Sequence, residues 1–161
     1  MKRPMTVVAS GYSRHQFQHE ELRATAQRIA KRIPELLHSL GADAVVVTGK
    51  SGMSVAFAAM MFADLPLVVV RKRGENSHGS MIDGVEGLVV RKYIILDDFV
   101  SSGDTVRTIV RDMEQYANAC GVEAPQPVGV ACYDSGVMGP TWVGLCDADG
   151  DQVAQVKTFK V

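Results

Sequence analysis

Asp97 and Asp98 stand side by side at the end of Tyr93-Ile94-Ile95-Leu96, an apolar run of strand type. Phe99 and Val100 follow, and then a small polar loop, Ser101-Ser102-Gly103-Asp104-Thr105, that opens an amphipathic helix. Unpaired backbone N–H groups at a helix start attract anions, and the helix dipole adds to the effect. Ser101, Ser102 and Thr105 add hydroxyl donors, while Gly103 lets backbone approach a ligand closely. A terminal phosphate monoester suits that loop. The two acids lie about one sugar away and, when ionised, only accept hydrogen bonds, which suits vicinal ribose hydroxyls. Taken alone, the acids also suit a plain strand end, and Ser-Ser-Gly an N-cap and turn. The whole strand–acid–acid–loop–helix unit favours a ligand site.

Two further loops carry charge. Thr48-Gly49-Lys50-Ser51-Gly52 follows a strand-like run and reads as a turn with one cation. Its spacing is not that of a G-x-x-x-x-G-K-[ST] loop. Arg71-Lys72-Arg73 follows a second such run and leads into Gly74-Glu75-Asn76-Ser77-His78-Gly79-Ser80. By itself the cationic triplet suits a solvated patch; near a phosphate site it becomes a source of anion ligands.

The elements that must position these loops follow from periodicity. Leu22, Ala26, Ile29, Ile33, Leu36 and Leu40 recur at helical spacing, with Pro34 as an expected kink and Gly41 as a stop. Residues 44–48, 65–70, 93–96 and 127–132 read as buried strands, and residues 53–62 and 105–116 as helices. Residues 71–87 are expected to form a mobile loop, with a short β-ribbon near 81–89. The tail from Tyr133 reads as less regular, ending in a strand near 152–161. Helices alternating with buried strands predict a single α/β domain: an open, mostly parallel, Rossmann-like sheet flanked by helices. Ligands in such sheets bind beyond the carboxyl ends of the strands, where all these loops fall.

Bulk properties narrow the classes. The 161 residues suit one domain, with 47% hydrophobic and 22% charged residues. A net charge of −1 gives no general footprint for nucleic acid or a membrane surface. No run reaches the ~18 apolar residues of a spanning helix, and the start lacks a secretory signal. Cys120, Cys132 and Cys146 are widely spaced, with no metal or redox pattern, so reduced thiols and a cytoplasmic location are expected.

Residues 93–106 resemble the PRPP-binding motif of type I phosphoribosyltransferases: four apolar residues, two acids, two apolar residues, then a Ser/Thr/Gly-rich loop. The order of elements from Ala44 to Cys132 agrees. The resemblance implies that family's fold, with a small hood beside the sheet. It also implies transfer of ribose 5-phosphate from PRPP to a nitrogenous base, or the reverse, with pyrophosphate released and Mg²⁺ required. Ser101, Ser102, Gly103, Asp104 and Thr105 would hold the 5-phosphate. Asp97 and Asp98 would hold the ribose hydroxyls and, through water, the metal. Lys50, Ser51 and Gly52 would form a pyrophosphate loop, which in the family often has a cis peptide. Arg71-Lys72 followed by His78-Gly79 resembles the catalytic loop of orotate phosphoribosyltransferases, which makes Lys72 and His78 catalytic candidates beside Asp97 and Asp98. Asn76-Ser77 stands where that loop has Lys-Asp, Asp104 where glycine is frequent, and Ser101 where 6-oxopurine enzymes carry aspartate. Tyr133, Asp134 and Trp142, or else Tyr12, His15 and Phe17, are candidates for the base site. A homodimer is implied by the family alone. The alternative is a regulator of the same fold that binds PRPP or a nucleotide without catalysis.

Overall fold

A computed structural model describes residues 18–72, 81–134, 139–146 and 152–161. Its first element, α1 (His19–Leu40), buries Ala26, Ile29, Ala30, Ile33 and Leu37 along one face and runs through Pro34 without ending. Gly41 stops it in the left-handed region at φ 61°, where its N–H reaches His38 O. Then follow β1 (Ala44–Thr48), α2 (Gly49–Met60), β2 (Leu67–Val70), β3 (Ile82–Gly84) and β4 (Lys92–Asp97). The chain continues through α3 (Asp104–Cys120), β5 (Gln126–Cys132), β6 (Trp142–Cys146) and β7 (Gln152–Lys160).

The strands form one seven-stranded sheet in the order β3-β2-β1-β4-β5-β7-β6. The pairs from β2 to β7 are parallel, while β3 and β6 close the two edges antiparallel to β2 and β7. The continuous apolar runs reflect burial on both faces. Val45, Val47, Leu67, Val69, Ile94 and Leu96 pack on one side against α1 and α2. Val46, Val68, Val70, Tyr93, Ile95 and Val130 pack on the other against α3.

Three expectations need correcting. Gly49–Gly52 is not a free turn after β1: it is the first turn of α2, because Gly52 lets the helix lie directly on β4. A β-carbon there would stand 3.0 Å from Leu96 O. No cis peptide occurs among the described residues. The tail is more regular than its sequence reads, since Trp142–Cys146 forms a strand that buries Val143 and Leu145 and pairs with β7. The segment after β5 thus extends the main sheet. Of the ribbon expected near residues 81–89, only β3 is a strand, and it pairs with β2 rather than with a neighbour inside that stretch.

Candidate functional site

The site lies at the carboxyl ends of β1, β2 and β4, where two helices begin. Asp97 closes β4 and Asp98 follows it. Both are nearly shut off from solvent, at 7% and 3% exposure. Asp97 Oδ1 accepts from the Asp98 N–H at 3.0 Å and from Ser51 Oγ at 3.3 Å, and Asp98 Oδ1 accepts from the Phe99 N–H at 2.9 Å. Burial, and next the neighbouring charge of Asp98, push the Asp97 carboxyl up to about 7. A desolvated carboxylate pair has an electrostatic deficit that a hard cation or a set of hydroxyl donors would relieve.

On one side of the pair stands the start of α2. Thr48 is its N-cap residue but makes no side-chain cap, because Thr48 Oγ1 donates to Val70 O at 2.7 Å. The first turn holds no acid and carries exposed Lys50 and half-buried Ser51. Lys72, just past β2, lies across Gly49: a β-carbon built on Gly49 would meet Lys72 Cε at 2.8 Å and Nζ at 3.0 Å. A cation at the positive end of a helix opposes the dipole, and an anion held between them reverses that sign. Arg71, by contrast, is turned toward β3, where its Nη2 meets Asp83 Oδ2 at 3.0 Å.

On the other side is the start of α3, one residue earlier than expected. Gly103 is its N-cap residue, at φ 82°. Exposed Ser101 and Ser102 precede it, and exposed Thr105 lies in the first turn. Asp104 is drawn aside: its Oδ1 meets Arg107 Nη2 at 2.7 Å and its Oδ2 accepts from Ser102 Oγ at 2.6 Å. These bonds, Ser102 first and then Arg107, lower the pKa of its carboxyl. Sequence reasoning missed Arg107, although its place one turn after Asp104 was a usable signal.

The base-site candidates separate. Tyr133 is core, at 3% exposure, and its hydroxyl donates to Ser51 O at 3.1 Å, so its ring offers no open face for stacking. Asp134 is half-buried beside the acids, its N–H reaching Asp98 O at 2.9 Å. Trp142 is exposed on β6. His78, Tyr12, His15 and Phe17 lie outside the described residues. Among the described residues no cluster of three or more His, Cys, Asp or Glu forms a metal cage. No described helix is long and apolar enough to cross a membrane.

The fold recurs in solved structures. A phosphoribosyltransferase from Corynebacterium diphtheriae matches at TM-score 0.54 and 21% identity, over 74% of this chain and 69% of that one. The orotate phosphoribosyltransferase of Francisella tularensis matches at TM-score 0.50 and 16% identity, over 73% of this chain. The chain has the type I phosphoribosyltransferase fold. In that phosphoribosyltransferase fold, the chain spans about half the length of the Francisella enzyme, 54% of it being covered. A hypothetical protein from Neisseria gonorrhoeae with bound ppGpp shares the architecture more completely, at TM-score 0.51 and 15% identity, over 89% of this chain and 79% of that one. No family profile matches the sequence. A stretch of 85 residues is 31% identical to the mitochondrial translation factor GUF1 homolog of Phaeodactylum tricornutum, covering 50% of this chain and 12% of that protein. So small a share of the factor carries no argument about activity.

Proposed function

We propose that the chain is a phosphoribosyltransferase that moves ribose 5-phosphate between PRPP and a nitrogenous base, with pyrophosphate as the other product or substrate. The observation that carries this reading is the buried Asp97–Asp98 pair set between two helix starts, one of them overlaid by Lys72. The α3 start and the loop from Ser101 to Thr105 take the 5-phosphate. Asp97 and Asp98 accept the ribose hydroxyls and so fix the sugar. The α2 start, with Lys50, Ser51 and Lys72, takes the pyrophosphate. Because the reacting carbon develops oxocarbenium character, rate comes from positioning and from stabilising the departing charge. Lys72 supplies a point charge for that purpose, and His78 is a further candidate contact. Arg71 reaches the pyrophosphate in this reading only by leaving Asp83.

Mg²⁺ fits the donor set: a buried, oxygen-only carboxylate pair suits a hard ion that keeps most of its waters. Asp97 and Asp98 would hold it through water, and when bound it offsets the charge of the leaving pyrophosphate. The reading includes a cytoplasmic location, in line with three unpaired cysteines, and Asp134 and Trp142 as base-site candidates. It also includes a homodimer, which would cover the exposed Phe57, Met61 and Phe62 at the end of α2; light scattering on the eluted protein measures it.

Isothermal titration of PRPP with Mg²⁺ tests the central claim. Wild type should bind, and Asp97→Asn/Asp98→Asn should not; base screening for pyrophosphate release follows. Folded wild type that ignores PRPP overturns the claim.

The second reading is a non-catalytic regulator that binds PRPP or a nucleotide. The broad coverage of the ppGpp-bound Neisseria protein supports it, as does Asn76-Ser77 in place of the Lys-Asp of the orotate loop. Binding without pyrophosphate release across a full panel of bases would favour it.

A further inference from the structure

Arg107 holds together three pieces of chain that meet at the phosphate loop. Its Nη2 donates to Ser102 O at 2.7 Å and to Asp104 Oδ1 at 2.7 Å, and its Nη1 reaches Gly144 O on β6 at 3.3 Å. The guanidinium lies against Gly103, where a β-carbon would stand 3.0 Å from Nη1 and 2.7 Å from Val143 Cγ1. Planar Arg is the side chain whose fixed fork can hold a carbonyl, a carboxylate and a strand edge at once.

Two consequences follow from elementary geometry and charge. In a trans peptide the C=O and the next N–H point in opposite directions. Anchoring Ser102 O on Arg107 therefore directs the Gly103 N–H away from Arg107. That N–H precedes the first turn of α3 and adds to its anion-attracting donors. Second, Asp104 puts a carboxylate in the first turn of α3, where an incoming phosphate would be repelled. Arg107 and Ser102 draw it aside and offset its charge.

We infer that Arg107 is a positioning residue that shapes and charge-balances the phosphate loop, so that it accepts a phosphate monoester despite Asp104. This rests on the proposed function, and deepens it by assigning the compensation for Asp104. Arg107 does so without touching the ligand itself.

The test is calorimetric titration of ribose 5-phosphate into wild type, Arg107→Ala, Arg107→Lys and Arg107→Ala/Asp104→Asn, with circular dichroism to verify folding. Arg107→Ala should bind roughly tenfold or more weakly, since it loses charge-assisted bonds and leaves Asp104 unbalanced. Arg107→Lys should fall between, keeping the charge and losing the fork. Arg107→Ala/Asp104→Asn should recover part of the loss, which a merely structural role for Arg107 would not produce. Should Arg107→Ala unfold, Arg107→Lys and the double variant decide by the same criteria. Wild-type affinity in folded Arg107→Ala, or no recovery in the double variant, overturns the inference. Failure of wild type itself to bind ribose 5-phosphate would instead count against the proposed function.

Discussion

The side chain of Lys72 occupies the space that a β-carbon on Gly49 would need, 2.8 Å from Cε and 3.0 Å from Nζ. The end of β2 and the start of α2 are thereby fitted to one another at the point where an anion would sit. Gly49 has φ 62°, so alanine there carries backbone strain of roughly 1–2 kcal/mol as well as displacing Lys72. Gly49→Ala should therefore weaken pyrophosphate binding and lower the melting temperature. Calorimetry and a thermal melt read the two effects separately, and unchanged affinity would detach Lys72 from the anion site.

Lys72→Ala removes the charge and leaves Gly49 untouched. Turnover should fall by about a hundredfold, the scale seen when one preorganised stabilising group is lost. Pyrophosphate release under saturating PRPP and an accepted base measures it. Unchanged turnover would take Lys72 out of the chemistry.

Asp97 makes ligand-free stability depend on pH. Its carboxyl rises from an ordinary 3.8 to about 7 on folding, chiefly through burial. Between those values the folded chain holds a proton that the unfolded chain has released. The contribution is thus full below about pH 4 and is lost as pH climbs through about 7. Ligand-free protein should melt at a lower temperature at pH 8 than at pH 5, and Asp97→Asn should flatten that difference. An identical slope in the variant would place the effect on another group.

Tyr133→Phe tests whether Tyr133 acts as packing. The change removes the bond from its hydroxyl to Ser51 O and keeps the buried ring. It should cost about 1 kcal/mol, or roughly 2–4 °C in melting temperature. The KM for the base should not move. A large rise in that KM would return Tyr133 to the base site.

The parts legible in the sequence were those with strong local patterns. Asp97 and Asp98 could be placed because four apolar residues before them force a strand and Gly103 marks the loop after it. The start of α2 was obscured: Gly49-Lys50-Ser51-Gly52 has the local chemistry of a turn, and glycine disfavours helix. Contact between Gly52 and Leu96 O decides the matter, and that contact is tertiary. In β6, the alternation of Val143 and Leu145 was present but short, and Gly144 weakened it. Arg107 was not singled out: its spacing from Asp104 was visible, but its partners Ser102 O and Gly144 O are backbone atoms that side-chain patterns do not reveal.

A proton held on Asp97 would also link ligand uptake to the solvent. Near neutral pH the buried pair holds a proton in part of the molecules, and a cation drawn to both carboxylates would expel it. The site would then operate as an ion exchanger, and the heat of association would depend on the ionisation enthalpy of the chosen buffer.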